Sequence, residues 1–397
     1  MSITAIPHKP VVLEAPPFIF SSSRLEALDN LRSFIIVLVV VFHAAMSYML
    51  FAPTWWYVVD TRQSLGFFCF VMIADVFIMP VMFLLAGYFG LPSLLRKGED
   101  GFAREKLKRV GIPWVVGTLF FAPATTYFIW LSRTKTPPPY LHFWTHTFFS
   151  TYFEQAQFWF LGVLLLFYFG LIIARSANEQ LKWFEPGTGR PSPCFFPAFV
   201  AVTSVALLIV NQHVNDYAWV PVSYLLVIQP TRFSLYIFFF ALGVHGYRRR
   251  WFTANGYNPR ISTWLPLSLV LGTAFMLYKL AFGLKLDQFR YRAGNDVLHC
   301  AFCLTAVFAL VAVFQKCLNR SSKVWRAVSR NSYAIYCVHM VIVPPLALLI
   351  RPLPWNIVTK FAATSASALM VSYLVSEFAV SKTPPFSTGN RVRQGQA

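Results

Sequence analysis

Long apolar runs separated by short polar segments repeat along the whole chain of 397 residues. A run of about 20 apolar residues is long enough to cross a hydrocarbon core as an α-helix. Because lipid offers no partners to backbone N–H and C=O groups, helices are the open structures that satisfy these groups there. We therefore predict an all-α polytopic membrane protein, a bundle of about ten helices at 33–52, 65–91, 111–131, 157–174, 195–210, 231–247, 263–283, 296–315, 331–350 and 361–380.

The composition agrees with this class and sets the domain boundaries. Apolar residues make up 57% of the chain and charged residues only 12%, about half the charged share of a soluble protein. We predict a cytoplasmic N-terminal segment at 1–32 without a cleavable signal peptide, a transmembrane domain at 33–380 and a disordered cytoplasmic tail at 381–397. The short, proline-bounded segment 217–230 is expected to be interfacial or re-entrant.

The formal net charge of +19 is distributed unevenly between the polar segments. The N-terminal segment, the even-numbered loops and the tail carry 24 of the 34 Lys and Arg residues. An excess of Lys and Arg marks the cytoplasmic side of a membrane protein, so both termini are predicted to be cytoplasmic. Since this distribution accounts for most of the charge, we expect membrane lipids as partners and no nucleic acid.

The first apolar run places a cation and an imidazole on one face of a helix. In "LDNLRSFIIVLVVVFHA", ten residues separate Arg32 from His43. Eleven helical steps span about 16 Å and complete three turns plus about 20°, so the two side chains share a face. Asp29, three residues before Arg32, is placed to form an ion pair with it. An ionisable residue inside a membrane span is a functional candidate by default, which makes His43 the first candidate.

Other ionisable residues within the predicted spans include Asp75, Arg232, His245, Lys279, His299 and His339. Arg232, His245 and Lys279 are near span ends, where the charged group reaches the interface cheaply, and we expect them to do so. Asp75 and His43 lie deep on adjacent spans. Sharing a hydrogen bond or a proton with each other is the least costly way to bury both, which leaves structural and catalytic roles open for Asp75.

Three further features have a structural and a functional reading. The basic segment 96–114 includes Lys106 and Arg109 on one helix face, and it fits either anionic lipid headgroups or a phosphate-bearing ligand. Trp159 and Tyr336 open spans and fit an aromatic belt, although Tyr336 also shares a face with His339 and is within hydrogen-bonding reach of a common site. The Cys300–Cys303 pair lies inside an apolar run and indicates core packing, and we expect no metal site.

These stretches, in this order, resemble the acyltransferase 3 family of membrane O-acyltransferases over nearly the whole chain. The resemblance rests on the Arg32–His43 spacing, "VMFLLAGYFG" at the end of the second span, the Lys106–Arg109 pair, "WFL" from Trp159, and "SYAIYCVHM" in the ninth span. Two positions differ from the family pattern: Ala86 replaces a serine, and Lys106 replaces an arginine. Within the family the chain is most similar to the glucan biosynthesis protein C branch, which is thought to succinylate periplasmic glucans.

The resemblance implies an enzyme of the bacterial inner membrane that moves a succinyl or acetyl group from cytoplasmic acyl-CoA to a hydroxyl of an extracytoplasmic glycan such as a periplasmic glucan. The resemblance also implies that acyl-CoA is the co-substrate and that the enzyme has no bound cofactor. The roles it suggests are catalytic for His43, Asp75 and His339, acyl-CoA-binding for Arg32, Lys106, Arg109 and Trp159, and structural for Asp29 and Tyr336. His43 acts either as a general base or as a covalent acyl carrier. A transporter or flippase for a saccharide or lipid is the alternative.

Overall fold

Helices make up most of the computed structural model, which describes residues 22–177, 187, 189–215, 218–283, 288–320 and 322–380. The predicted tail at 381–397 and residues 1–21 of the predicted N-terminal segment lie outside the described residues. The helices are α1 (Ser22–Met46), α2 (Leu65–Lys106), α3 (Ile112–Val116), α4 (Ala122–Arg133), α5 (Tyr140–His142), α6 (Phe149–Thr151), α7 (Trp159–Ala177), α8 (Phe195–His213), α9 (Pro230–Arg248), α10 (Ile261–Phe282), α11 (Gln288–Cys317), α12 (Lys323–Val338), α13 (Val343–Ile350) and α14 (Ile357–Val375).

Short π-helical and 3₁₀ turns extend or join several of these helices. The π-helical turns are Leu107–Gly111, Gly117–Phe121, Phe143–Phe148 and Ser376–Val380, and the 3₁₀ turns are Ala156–Phe158 and His339–Val341. Two antiparallel strands, β1 (Val220–Val222) and β2 (Leu226–Ile228), pair with Pro221 opposite Val227. This hairpin occupies the described part of the segment 217–230.

Seven helical stretches of the described residues are long and apolar enough to cross a membrane, or eight if the bent pair α12–α13 is one span. The all-α membrane class is therefore confirmed, whereas the number ten remains a prediction. Part of the difference comes from Leu65–Arg133, a single stretch of 69 residues that includes two of the predicted spans. Its only non-helical residue within α2 is Gly98, whose φ of 70° is readily accessible to glycine. The predicted basic loop 96–114 is thus helical.

The first helix ends six residues earlier than hydropathy predicts. The run to residue 52 is apolar, but α1 ends at Met46 because the following backbone finds other partners. Leu50 donates to the Ser64 carbonyl, and Ser64 donates to the Tyr48 carbonyl, so residues 48–50 pair with the start of α2. His43 therefore lies in the last turn of α1.

The ninth predicted span is broken at His339. The helix α12 ends at Val338, a 3₁₀ turn follows, and α13 leaves at an angle of 48°. Pro344 and Pro345 lack the N–H groups that would bond to the carbonyls of Met340 and Val341, so the α-helical ladder stops there.

The bundle packs around α1, which contacts α2, α11, α12, α13 and α14. The helices α2 and α9 share the most extensive contact, and two glycines allow their backbones to approach closely. A Cβ on Gly87 would lie 2.1 Å from the Phe240 carbonyl oxygen, and one on Gly243 would lie 2.0 Å from the Leu84 carbonyl oxygen. Small residues permit such close packing of membrane helices.

Candidate functional site

Two histidines from the ends of two helices meet inside the bundle. The Nε2 atom of His339 lies 3.1 Å from Nδ1 of His43, and their ring centroids are 5.0 Å apart. His339 is fully buried, whereas His43 is partly exposed. The last turn of α1 and the break after α12 therefore supply one hydrogen-bonded pair, although 296 residues separate its members.

The backbone determines which ring nitrogen carries a proton. The Tyr336 carbonyl lies 2.7 Å from Nδ1 of His339, and because a carbonyl only accepts, Nδ1 must donate. In a neutral His339 ring, Nε2 is then the acceptor and takes a hydrogen bond from Nδ1–H of His43. The remaining nitrogen of a neutral His43, Nε2, keeps its lone pair. The pair thus presents a basic nitrogen on the partly exposed ring.

An indole ring lies against one face of this imidazole. Trp56, in the connection between α1 and α2, stacks on His43 with ring centroids 5.7 Å apart and planes 6° apart. Trp56 is 2% exposed, and its Nε1 donates to the Ser47 hydroxyl at 3.2 Å. The sequence prediction did not include Trp56. The only sequence signal is the aromatic run at residues 55–57 beside the predicted span.

Arg32, one of the predicted phosphate-binding residues, lies about three helical turns from His43, near the middle of α1. Arg32 forms an ion pair with Asp29 at 3.0 Å, as the spacing predicted. Lys106 lies over the ring of Tyr168, with its Nζ 4.4 Å from the ring centroid. Arg32 is close enough to Tyr168 to interact electrostatically with it. Arg32 and Lys106 therefore both neighbour the same tyrosine of α7.

Arg109 belongs to the same basic cluster. Its guanidinium is 3.4 Å from Glu105, which also binds Lys97 at 2.5 Å. The Tyr333 hydroxyl of α12 donates to the Arg109 carbonyl at 2.6 Å. This contact joins the π-helical turn that carries Arg109 to α12, the helix that ends just before His339.

Asp75 does not pair with His43, contrary to the expectation from their depth. Its carboxylate binds the Arg232 guanidinium at 3.1 Å, and Arg232 also donates to Nε2 of His299 at 2.5 Å. A permanently charged guanidinium compensates a carboxylate better than an imidazole that must first gain a proton. Arg232 is buried in this cluster and does not reach for the interface as predicted.

Trp159 lies in a different part of α7 from the basic cluster. Nine residues, or about 14 Å of helix, separate it from Tyr168. Its ring stacks on Tyr236, with centroids 5.7 Å apart, and contacts Trp219 beside the β-hairpin. Trp159 is therefore too far along the helix to share phosphates with Lys106.

Tyr336 fixes α12 to the start of α7. Its hydroxyl donates to the Gln157 carbonyl, and the Gln157 side chain donates to the Cys337 carbonyl at 2.8 Å. The backbone carbonyl of Tyr336, and not its hydroxyl, binds His339.

No group of three His, Cys, Asp or Glu residues suited to a metal ion occurs among the described residues.

The sequence comparisons assign the chain to a family. A family model described as "Acyltransferase domain" (Acyl_transf_3) matches residues 25–377, which includes every site residue described above. Neither a curated protein nor a solved structure matches the chain. The family match is therefore the only one of the three comparisons that bears on activity.

Proposed function

The chain belongs to the acyltransferase 3 family and is a membrane-embedded acyltransferase, and on this premise we propose that it transfers an acyl group from cytoplasmic acyl-CoA to a hydroxyl of an extracytoplasmic glycan. The observation that carries the proposal is the His43–His339 pair, which leaves Nε2 of His43 as a base on the partly exposed ring. The cation distribution supports cytoplasmic termini, and with them a cytoplasmic basic cluster.

The proposed reaction uses two parts of α1, the turn that carries Arg32 and the turn that carries His43. Arg32, Lys106 and Arg109 bind the phosphates of the donor, and its arm runs along α1 toward His43 over about 16 Å. Nε2 of His43 takes the proton of the acceptor hydroxyl while the oxygen attacks the thioester carbonyl carbon. The carbon–sulfur bond then breaks, and the proton passes to the thiolate, which gives an ester and coenzyme A.

His339 supports this step by accepting the Nδ1–H of His43, which keeps the lone pair on Nε2. Asp75 binds Arg232, which also binds His299, so we assign Asp75 to structure and not to proton transfer. Succinyl and acetyl groups remain the proposed acyl groups, and a periplasmic glucan of a bacterial inner-membrane pathway is the proposed acceptor.

Mass spectrometry of envelope glycans, from cells with and without the protein, tests this proposal. Cells that lack the protein should lose one acyl mass from a glycan, and the wild-type gene should restore it. His43→Ala should not restore it although the variant reaches the membrane, whereas His142→Ala, an exposed histidine away from the site, should restore it. Full restoration by His43→Ala would contradict the proposed base.

A purified-protein assay tests the donor directly. Wild-type protein should release coenzyme A from acetyl-CoA or succinyl-CoA when the glycan is present. His43→Ala should slow transfer by about 10²- to 10⁴-fold, the usual contribution of a general base, and still bind the donor. Transfer at the wild-type rate by well-folded His43→Ala protein would refute the mechanism.

A further inference from the structure

Trp56 contacts His43 through the face of its ring, which restrains the imidazole without using either nitrogen. The nearly parallel planes and the 5.7 Å centroid distance are those of an offset aromatic pair. Hydrogen bonds to an imidazole lie in the plane of the ring, so Nδ1 remains available to His339 and Nε2 to a substrate. The contact therefore limits ring tilt and leaves the hydrogen bonds intact.

The position of Trp56 is fixed by the end of α4. One guanidinium, that of Arg133, donates through Nη2 to the Trp56 carbonyl at 2.6 Å and through Nη1 to the Thr54 carbonyl at 2.7 Å. The adjacent Ser132 hydroxyl donates to the Tyr57 carbonyl at 2.8 Å. These bonds hold the backbone on both sides of Trp56, and the Nε1–Ser47 hydrogen bond together with apolar packing restrains the indole itself.

Apolar side chains back the indole that stacks on His43. Trp56 packs in a buried cluster with Met46, Met49, Val71 and Ala347. The indole therefore shields the face of the imidazole that it covers from water, although His43 as a whole is partly exposed. Exclusion matters for this chemistry because water competes with the acceptor hydroxyl for the thioester carbonyl carbon, and its attack yields a free carboxylic acid and coenzyme A.

We propose that Trp56 is a positioning residue for acyl transfer, which holds the His43 imidazole in its productive orientation and keeps water from the thioester. The inference rests on the proposed function of His43. The connection between α1 and α2 then influences the ratio of acyl transfer to thioester hydrolysis, and Arg133 holds that connection in place.

The test compares Trp56→Ala, Trp56→Phe and Trp55→Ala in the full-length purified protein. Trp55 is the control for loss of a neighbouring indole, since it is 37% exposed and packs edge-on against Trp56 at 6.1 Å, while the stacking on His43 is made by Trp56. Three quantities are measured with acetyl-CoA or succinyl-CoA: kcat for transfer, the donor KM, and coenzyme A released without acceptor. Trp56→Ala should lower kcat by about 10²-fold, the cost of a small misplacement of a reacting group, and leave the donor KM unchanged.

Trp56→Ala should also raise the fraction of coenzyme A that is released by hydrolysis, with free acid as the other product. Trp56→Phe keeps a stacking ring and should recover most of the transfer rate, and Trp55→Ala should match wild type. Where Trp56→Ala does not fold, Arg133→Lys provides the second test. It keeps the charge but loses the fork that reaches two carbonyls, so it should shift the balance toward hydrolysis.

Equal kcat and equal hydrolysis in Trp56→Ala, Arg133→Lys and wild type would overturn the inference. So would a loss in Trp56→Ala that Trp56→Phe fails to recover at all, since that would point to the Ser47 hydrogen bond and not to stacking. Failure of the proposed function gives a different result: wild-type protein would transfer no acyl group, or His43→Ala would transfer it normally.

Discussion

Replacing His339 by Ala tests the hydrogen bond that joins the two histidines. The substitution removes the acceptor 3.1 Å from Nδ1 of His43. His43 then either keeps its Nδ1–H with one acceptor fewer, although the Val39 backbone still bonds to the ring, or moves the proton to Nε2, the nitrogen that must accept the hydroxyl proton. Both outcomes weaken the base, and neither touches the residues proposed to bind the donor.

The size of the effect follows from the cost of the lost hydrogen bond. One hydrogen bond contributes about 0.5–1.5 kcal/mol net. If the tautomer with its lone pair on Nε2 is destabilised by that amount relative to the other tautomer, kcat falls by about 2- to 13-fold. The loss is smaller than the roughly 10²- to 10⁴-fold expected when the general base itself is removed. The donor KM should stay unchanged.

The assay measures transfer at saturating donor and acceptor for His339→Ala, His43→Ala and the double variant, with folded protein quantified by size-exclusion chromatography. Because His339 acts through His43, the double variant should be no slower than His43→Ala. Additive losses would refute this reasoning and give His339 a separate chemical step, such as carrying the acyl group. A wild-type rate for His339→Ala would refute it as well.

Four further variants test the basic cluster and a half-buried carboxyl group. Replacing Lys106 and Arg109 together by Ala should raise the KM for acyl-CoA and spare kcat, because binding common to ground and transition states is lost; an equal loss of rate at every donor concentration would contradict donor binding there. Arg32→Ala should weaken donor binding measured by calorimetry, and adding Asp29→Ala should restore part of it, because the unpaired carboxylate repels phosphate; no recovery would contradict the repulsion. Burial raises the pKa of the Glu154 carboxyl group from 4.5 to about 7. Protonation of this group therefore contributes its full stabilisation of the fold below pH 4.5, and that contribution is lost as the pH rises through 7. Glu154→Gln should therefore flatten the fall of Tm between these pH values, and an unchanged slope would exclude this group.

The sequence predicted what depends on local geometry. Hydropathy identified the all-α membrane class, and helical periodicity put Arg32 and His43 on one stripe of α1 and Asp29 beside Arg32. These relations hold within a few turns of a single helix, so spacing determines them. The chemical roles given to these residues stay predictions.

What the sequence could not predict depends on contacts between distant segments. Asp75 and its partner Arg232 are 157 residues apart in the sequence. The expectation that Asp75 pairs with His43 rested only on the similar depth of the two residues in adjacent predicted spans. Arg232 looked like a residue at a span end because Pro230 precedes it closely. Hydropathy also extended α1 beyond Met46, since the residues that turn back to pair with Ser64 are themselves apolar. Periodicity carries no information about such pairing.

Two helices, α1 and α12, each connect the basic cluster to the histidine pair. On α1, Arg32 and His43 are eleven residues apart, and on α12, Tyr333 holds the Arg109 carbonyl while His339 lies six residues further on. Steps of 1.5 Å make these separations about 16 Å and 9 Å. Because both helices run from the basic cluster to the histidine pair, rigid elements fix the distance between the proposed phosphate site and the proposed base. The connection that carries Trp56 lies at the histidine end, where we propose that it keeps water from the thioester.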